Sequence, residues 1–264
     1  MPDAPFRYKF PPIIERVVSV RAKMNQGAYE QSYEDWKELA EKEFPIYEPL
    51  KQWLLNIQEK DGIPTEISPE LEITPRFSEK TSKKGFGWSI RCPADQLTMN
   101  MHSNHHENRG YTELKNRFTP WLKKWAKHFQ VTEYEDLTVH YVNLLDKTTL
   151  PSFAKDDFLD IVKVLNIFFI IPGNDDIFTP PLDCRVTIKL SSQYEGRLTI
   201  HAANKDRGSG PALSLDLIVN TKLNPGVNAD EILDIMDWCH DRILERFEMI
   251  FTEAAKKSFQ PVFI

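Results

Sequence analysis

Polar and apolar positions alternate most regularly between residues 182 and 221. Cys184, Val186, Ile188 and Leu190 alternate with Arg185, Thr187 and Lys189. Leu198, Ile200 and Ala202 alternate with Arg197, Thr199 and His201, and Leu213, Leu215, Leu217 and Val219 keep the same phase. A period of two sends successive side chains to opposite faces of a strand, so this stretch predicts a three-stranded antiparallel meander with one wet face. Pairing apolar with apolar across a loop at 204–209 sets Leu198 opposite Leu215 and Arg197 opposite Asp216. From Asn228 the period changes. Ile232, Ile235, Met236, Cys239, Ile243, Phe247 and Ile250 recur at spacings of three and four behind a capping box of Asn228 with Glu231, which predicts a long helix lying on the sheet.

The N-terminal part reads in a similar order. A Pro-Pro pair leads into a β-branched strand, Ile13 to Met24, and Ser32 with Asp35 opens a helix carrying Trp36, Leu39 and Ala40. Pro45 and Pro49 interrupt it, and Tyr47 to Ile57 reads as a second helical piece. Glu59 to Lys84, with Pro64, Pro69 and Pro75, reads as an irregular excursion with an edge strand near Leu71. Trp88, Ile90 and Cys92, then Leu97, Met99 and Met101, form the inward face of a hairpin. A helix follows from Thr112 to Phe129, with Pro120 marking a kink or a restart capped by Thr119. Beyond it come a strand at Leu137 to Leu145, a helix opening near Lys155, and an apolar run from Ile167 to Ile171. The expectation is an α+β fold: a mixed, mainly antiparallel sheet with long helices packed on one face. Strand, helix, strands, helix occurs twice with a changeover near residue 133. Element order therefore suggests a duplicated β-α-β-β-(β)-α unit, with α+β halves at 1–133 and 134–264 that are separate or form one continuous domain.

Composition narrows the function classes. The 264 residues are 41% hydrophobic, enough for a sizeable core. A net charge of −6 argues against broad affinity for nucleic acid, which needs positive charge to displace phosphate counterions. Cys92, Cys184 and Cys239 are far apart and lack CxxC spacing, so they read as reduced, buried thiols rather than a disulfide framework or a zinc site. The first residues hold no apolar core of signal-peptide length, and no apolar run reaches the length of a membrane span, so the expected location is cytoplasmic.

Four constellations carry candidate chemistry. His102, His105, His106 and Glu107 in MHSNHHENRG offer imidazole and carboxylate ligands for a divalent metal, although they fall in a loop rather than on a helix that would aim two imidazoles together. His240 beside Asp241 offers a general base, with no nucleophile motif to accompany it. Arg109, Lys115, Arg117, Lys123, Lys124, Lys127 and His128 make a basic helix at 109–128 with Trp121 and Trp125 interleaved, a pattern suited to stacking on exposed bases. Tyr141 and Asn143, near the end of a strand in LTVHYVNLLDK, can line a pocket or bind a partner.

PPIIERVVSV at 11–20, LTMNMHSNHHENRGYTELKNRF at 97–118, LTVHYVNLLDK at 137–147 and HDRILERFEMIFTEAAKKSF at 240–259 together resemble a family of uncharacterised prokaryotic proteins that is sporadically distributed. Tyr141 and Asn143 match that family's Tyr-x-Asn strand, and His240, Phe247 and Thr252 match its His-led helix. Asn108 and Arg109 fall at its Asn-Trp-Arg-like element, but here they are adjacent with no Trp between them. The resemblance implies no known activity, and Asn108, Arg109, Tyr141, Asn143 and His240 are taken as the candidate binding residues. It does imply an accessory protein of a mobile, defence-associated or toxin-antitoxin-like gene cassette. The resulting expectation is a non-enzymatic cytoplasmic interaction protein without catalytic residues or cofactor, acting as a homodimer or with a partner from a neighbouring gene. The alternatives are a metal-dependent hydrolase using His102, His105 and His106, and nucleic-acid binding along the helix at 109–128.

Overall fold

The computed structural model describes residues 6–8, 12–60, 63–79, 87–93, 95–102, 110–155, 158–166, 183–191, 193–207 and 210–263. In chain order these form β1 (Phe6–Tyr8), β2 (Ile13–Lys23), α1 (Gln26–Glu43), β3 (Ile46–Tyr47), β4 (Leu50–Lys60), β5 (Ile63–Thr74), β6 (Arg76–Ser78), β7 (Gly87–Arg91), β8 (Gln96–His102) and α2 (Tyr111–His128). Then follow β9 (Glu133–Leu145), β10 (Ala154–Lys155), β11 (Phe158–Leu159), α3 (Ile161–Val164), β12 (Asp183–Ser191), β13 (Glu195–Arg207), β14 (Gly210–Lys222), α4 (Ala229–Ile250), α5 (Glu253–Ser258) and β15 (Pro261–Phe263).

Nine strands make one sheet in the order β12-β13-β14-β9-β2-β8-β7-β6-β3. Its neighbouring strands pair antiparallel, so the fold is α+β as the periodicity predicts. β2 and β9 lie side by side at the centre. Outward from that seam each half sets its last long strand, β8 or β14, then β7 or β13, then β6 or β12. The two halves are thus laid out alike about the β2–β9 seam, and one unbroken sheet joins them across residue 133.

Register explains the core. Arg16 faces both Met101 and Tyr141, Val18 faces Met99 and Val139, and Val20 faces Leu97 and Leu137. Leu217 and Val219 of β14 continue those rows opposite Tyr141 and Val139. All of these side chains are buried. On this face lie Leu114, Phe118, Trp121, Leu122 and Trp125 of α2 and the apolar stripe of α4. Burying one such aliphatic or aromatic side chain contributes about 1.5–3 kcal/mol. α1 is fastened on through aromatic edges, with Trp36 T-shaped against Trp121 at 5.3 Å between ring centroids.

The α4 N-terminus has the capping box read from sequence: Asn228 Oδ1 accepts from the Asp230 and Glu231 amides, and Glu231 Oε2 accepts from the Asn228 amide. Asn228→Ala is expected to lower stability by about 1 kcal/mol, read as a fall in the urea midpoint at constant m.

Several expectations change. In the β13–β14 hairpin Leu198 faces Val219 and Arg197 faces Asn220, while Asp216 faces His201. The strands run on to Arg207 opposite Gly210, so the 204–207 stretch expected in the loop is paired. The shift is by an even number of residues, which leaves every side chain on its predicted face. Tyr47 to Ile57 is not helical but passes from β3 into β4, and the supposed excursion forms β5 and β6. β4 and β5 make a separate two-stranded hairpin, with Pro69 opposite Leu55, and each strand of such a pair keeps a free side on which proline is tolerated. α1 begins at Gln26, before Ser32, with Tyr29 N–H already bonded to the Asn25 carbonyl. α2 runs through Pro120 without interruption, and Thr119 Oγ1 donates back to the Lys115 carbonyl rather than capping a new start. Near Lys155 stands the small β10–β11 hairpin in place of a helix. Ile167 to Ile171 lies outside the described residues.

Candidate functional site

β2 and β9 bring Arg16 and Tyr141 together on the helix-covered face of the sheet, and α4 lowers His240 onto them. The Tyr141 hydroxyl lies 2.6 Å from His240 Nδ1. Above the imidazole, the Tyr111 ring stacks at 3.9 Å between centroids and 9° between planes. The Tyr111 hydroxyl donates to Asp237 Oδ1 and Lys115 Nζ to Asp237 Oδ2, each at 2.6 Å. Helical spacing makes this arrangement possible: Tyr111 and Lys115 are one turn apart on α2, and Asp237 and His240 are one turn apart on α4. The Arg16 guanidinium carbon sits 5.4 Å from the centroid of the Tyr141 ring.

The charges are ordered by burial. Burial first, and then the Arg16 cation, depress the His240 pKa to about 4, against a smaller opposing pull from Asp237. His240 is therefore neutral at physiological pH. Burial raises the Tyr141 phenol, only partly offset by Arg16. Arg16 is 5% exposed; burial lowers its pKa, but a guanidinium starting at 12.5 stays charged. Tyr141 and His240 therefore share a hydrogen bond between two neutral groups; with the phenol as its donor, the imidazole proton would sit on Nε2. Two of the buried polar atoms that lack a hydrogen-bond partner among the described residues lie on this face. Arg16 Nε has no acceptor, and Asn143 Oδ1 has no donor, although Asn143 Nδ2 donates to the Leu215 carbonyl at 2.9 Å.

Of the residues singled out by sequence, Tyr141 and His240 meet, and Asn143 lies two positions along β9 on the same face, fully buried. Asp241 does not serve His240: it is exposed, and Asp237, one turn away, takes the acidic place in the cluster. Cys239 belongs to the core, its thiol near Thr221 Oγ1 and pushed up to about 12 by burial. His102 ends β8 on the opposite face, 3.6 Å from Glu15. His105, His106, Glu107, Asn108 and Arg109 lie outside the described residues. Among the described residues no three His, Cys, Asp or Glu side chains are grouped to hold a metal.

The basic helix is largely neutralised within the chain. Lys115 pairs with Asp237, Arg117 with Glu79, Lys123 with Asp230 and Lys124 with Glu43. Trp121 and Trp125 are 1% and 0% exposed, so neither ring is open for a base to stack on. Arg16, Tyr111 and Asp237 were not foreseen. The available signal was Arg16 itself, a charge in the apolar phase of Arg16, Val18, Val20 and Ala22.

No family model matches the chain, and no curated protein matches it. A solved structure, the di-domain ARO/CYC StfQ from the steffimycin biosynthetic pathway, aligns over 94% of this chain and 97% of that chain at 8% identity, with a TM-score of 0.19. A likeness that slight carries no argument about fold or function.

Proposed function

We propose that this chain is a non-enzymatic cytoplasmic interaction protein, an accessory member of a defence-associated or toxin-antitoxin-like gene cassette, acting as a homodimer or with a partner encoded by a neighbouring gene. The observation that supports this reading is the state of His240. Its Nδ1 is hydrogen-bonded to the Tyr141 hydroxyl and one ring face is covered by Tyr111, an arrangement that favours holding neighbours in place over moving protons. The groups that converge on it are phenols, a guanidinium and a carboxylate, which recognise hydrogen-bonding partners but lack a nucleophile. In keeping with the proposed location, no described helix is long and apolar enough to cross a membrane.

Light scattering on the purified protein, together with mass spectrometry of what co-purifies from the source cell, tests the reading. The expected result is a dimer or one neighbour-encoded protein in stoichiometric amount. A monomer with no companion overturns it. So does stoichiometric zinc, iron or manganese in tag-free protein that is lost on His105→Ala, a result that favours the hydrolase.

A further inference from the structure

Arg16 is a buried cation whose charge no described carboxylate answers. The acids whose charge reaches His240 and Tyr141 are committed or turned away: Asp237 is occupied by Tyr111 and Lys115, and Asp241 is exposed on α4. Its close neighbours, Tyr141 and His240, are both neutral. Taking a lone cation out of water costs several kcal/mol unless an anion accompanies it, and a fold keeps such a group when something else supplies the charge. The open hydrogen-bonding edge lies on the Nε side of the guanidinium, and that side-on edge is the one that grips a carboxylate through two parallel bonds. Asn143 adds the complementary half. Its Oδ1 is a fully buried acceptor without a donor, on the same face of the sheet and two positions along β9 from Tyr141, the residue opposite Arg16.

We propose that Arg16 and Asn143 form a recognition site for a carboxylate that carries an N–H or O–H donor on its α atom, with Arg16 gripping the carboxylate and Asn143 Oδ1 accepting from the donor. One negative charge balances the single buried cation, whereas a phosphate dianion would leave an unanswered charge beside neutral neighbours. Two sources share this chemistry: the free end of a protein chain, whose last residue has an amide N–H α to its carboxylate, and a small 2-hydroxy acid. The inference rests on the interaction reading above and specifies what the Tyr141–His240 cluster helps to present.

The test is thermal unfolding of the full chain titrated with N-acetylglycine, lactate or acetate, against sodium chloride at matched ionic strength. N-acetylglycine and lactate are expected to raise Tm saturably, by about 5 °C or more at 100-fold excess over Kd, acetate to raise it less, and chloride not at all. A stronger response to N-acetylglycine assigns the carboxylate to a chain end, and a stronger response to lactate to a free acid. Arg16→Met is expected to abolish the rise and, in acid-free buffer, to melt no lower than the parent, because an unanswered charge has been removed. Arg16→Lys, which keeps the charge without the two-pronged edge, is expected to weaken binding at least tenfold. Absence of any acid response, a response that survives in Arg16→Met, or an Arg16→Met protein that melts well below the parent would each overturn the proposal. A dimer or stoichiometric partner recovered without an acid response sinks this site alone, whereas an acid response without either sinks only the interaction reading.

Discussion

Trp121→Ala is expected to lower the unfolding free energy by about 3–5 kcal/mol, the cost of deleting a fully enclosed aromatic ring. Trp121 is the residue through which α1 and α2 hold each other. Its ring meets Trp36 edge-on at 5.3 Å and Phe44 at 5.5 Å, Lys124 Nζ lies 4.6 Å from its centroid, and its Nε1 donates to Glu43 Oε2 at 3.1 Å. Alanine would leave a cavity between the helices and Glu43 without its indole donor. Urea unfolding checks this through the midpoint at unchanged m, and a loss below about 1 kcal/mol would mean that α1 is held by something other than this ring.

Acid is expected to cost the protein roughly 3 kcal/mol through His240 alone. The unfolded chain takes up a proton at His240 as pH falls below its ordinary 6.5, whereas the folded protein resists until about 4. The folded-state pKa is depressed, so the stability linked to this group is complete above pH 6.5, drains away as pH falls towards 4, and changes no further below that. Burial is the larger cause of the depression and the Arg16 cation the second. His240→Gln keeps an acceptor for the Tyr141 hydroxyl but does not titrate. Comparing the unfolding free energies of the parent and this variant at pH 7 and pH 4.5 isolates the contribution: the parent should lose more, by a margin approaching that figure. Equal losses would mean that the imidazole is solvated in the folded state.

Where a face alternates between oil and water, its elements were legible. β2 appears as the strand its β-branched residues predict, and the β7–β8 hairpin, β13 and β14 keep their predicted faces, because their apolar rows are packed and a period of two leaves no other phase. β12 stays in step through its pairing with β13, although Val186 in its apolar row is 43% exposed. α4 was legible because its stripe and its cap agree. The β13–β14 register was not, since Asn204, Lys205, Asp206 and Arg207 are polar on both faces and hold no phase to read. The β4–β5 hairpin was hidden by Pro64 and Pro69, which argue against a central strand but not against a pair outside the main sheet. For the site, the sequence marked Tyr141 and His240 one at a time, and only the antiparallel seam and the lie of α4 bring them together from 99 residues apart. Asp241 misled because it neighbours His240 in sequence, while successive helical residues point in directions about 100° apart and a residue three positions away returns to the same side.

The placement of β2 at the seam also sets the order in which the molecule can be made. Ribosomes deliver residues in sequence, so Ile13–Lys23 emerges before either of its flanking strands, Gln96–His102 and Glu133–Leu145, has been synthesised. Until then a β-branched segment waits with both backbone edges open, the condition in which nascent chains pair with the wrong neighbour. Completion of the large sheet must follow translation of the second half, and a polypeptide stopped short of Leu145 would lack the strand that closes its middle.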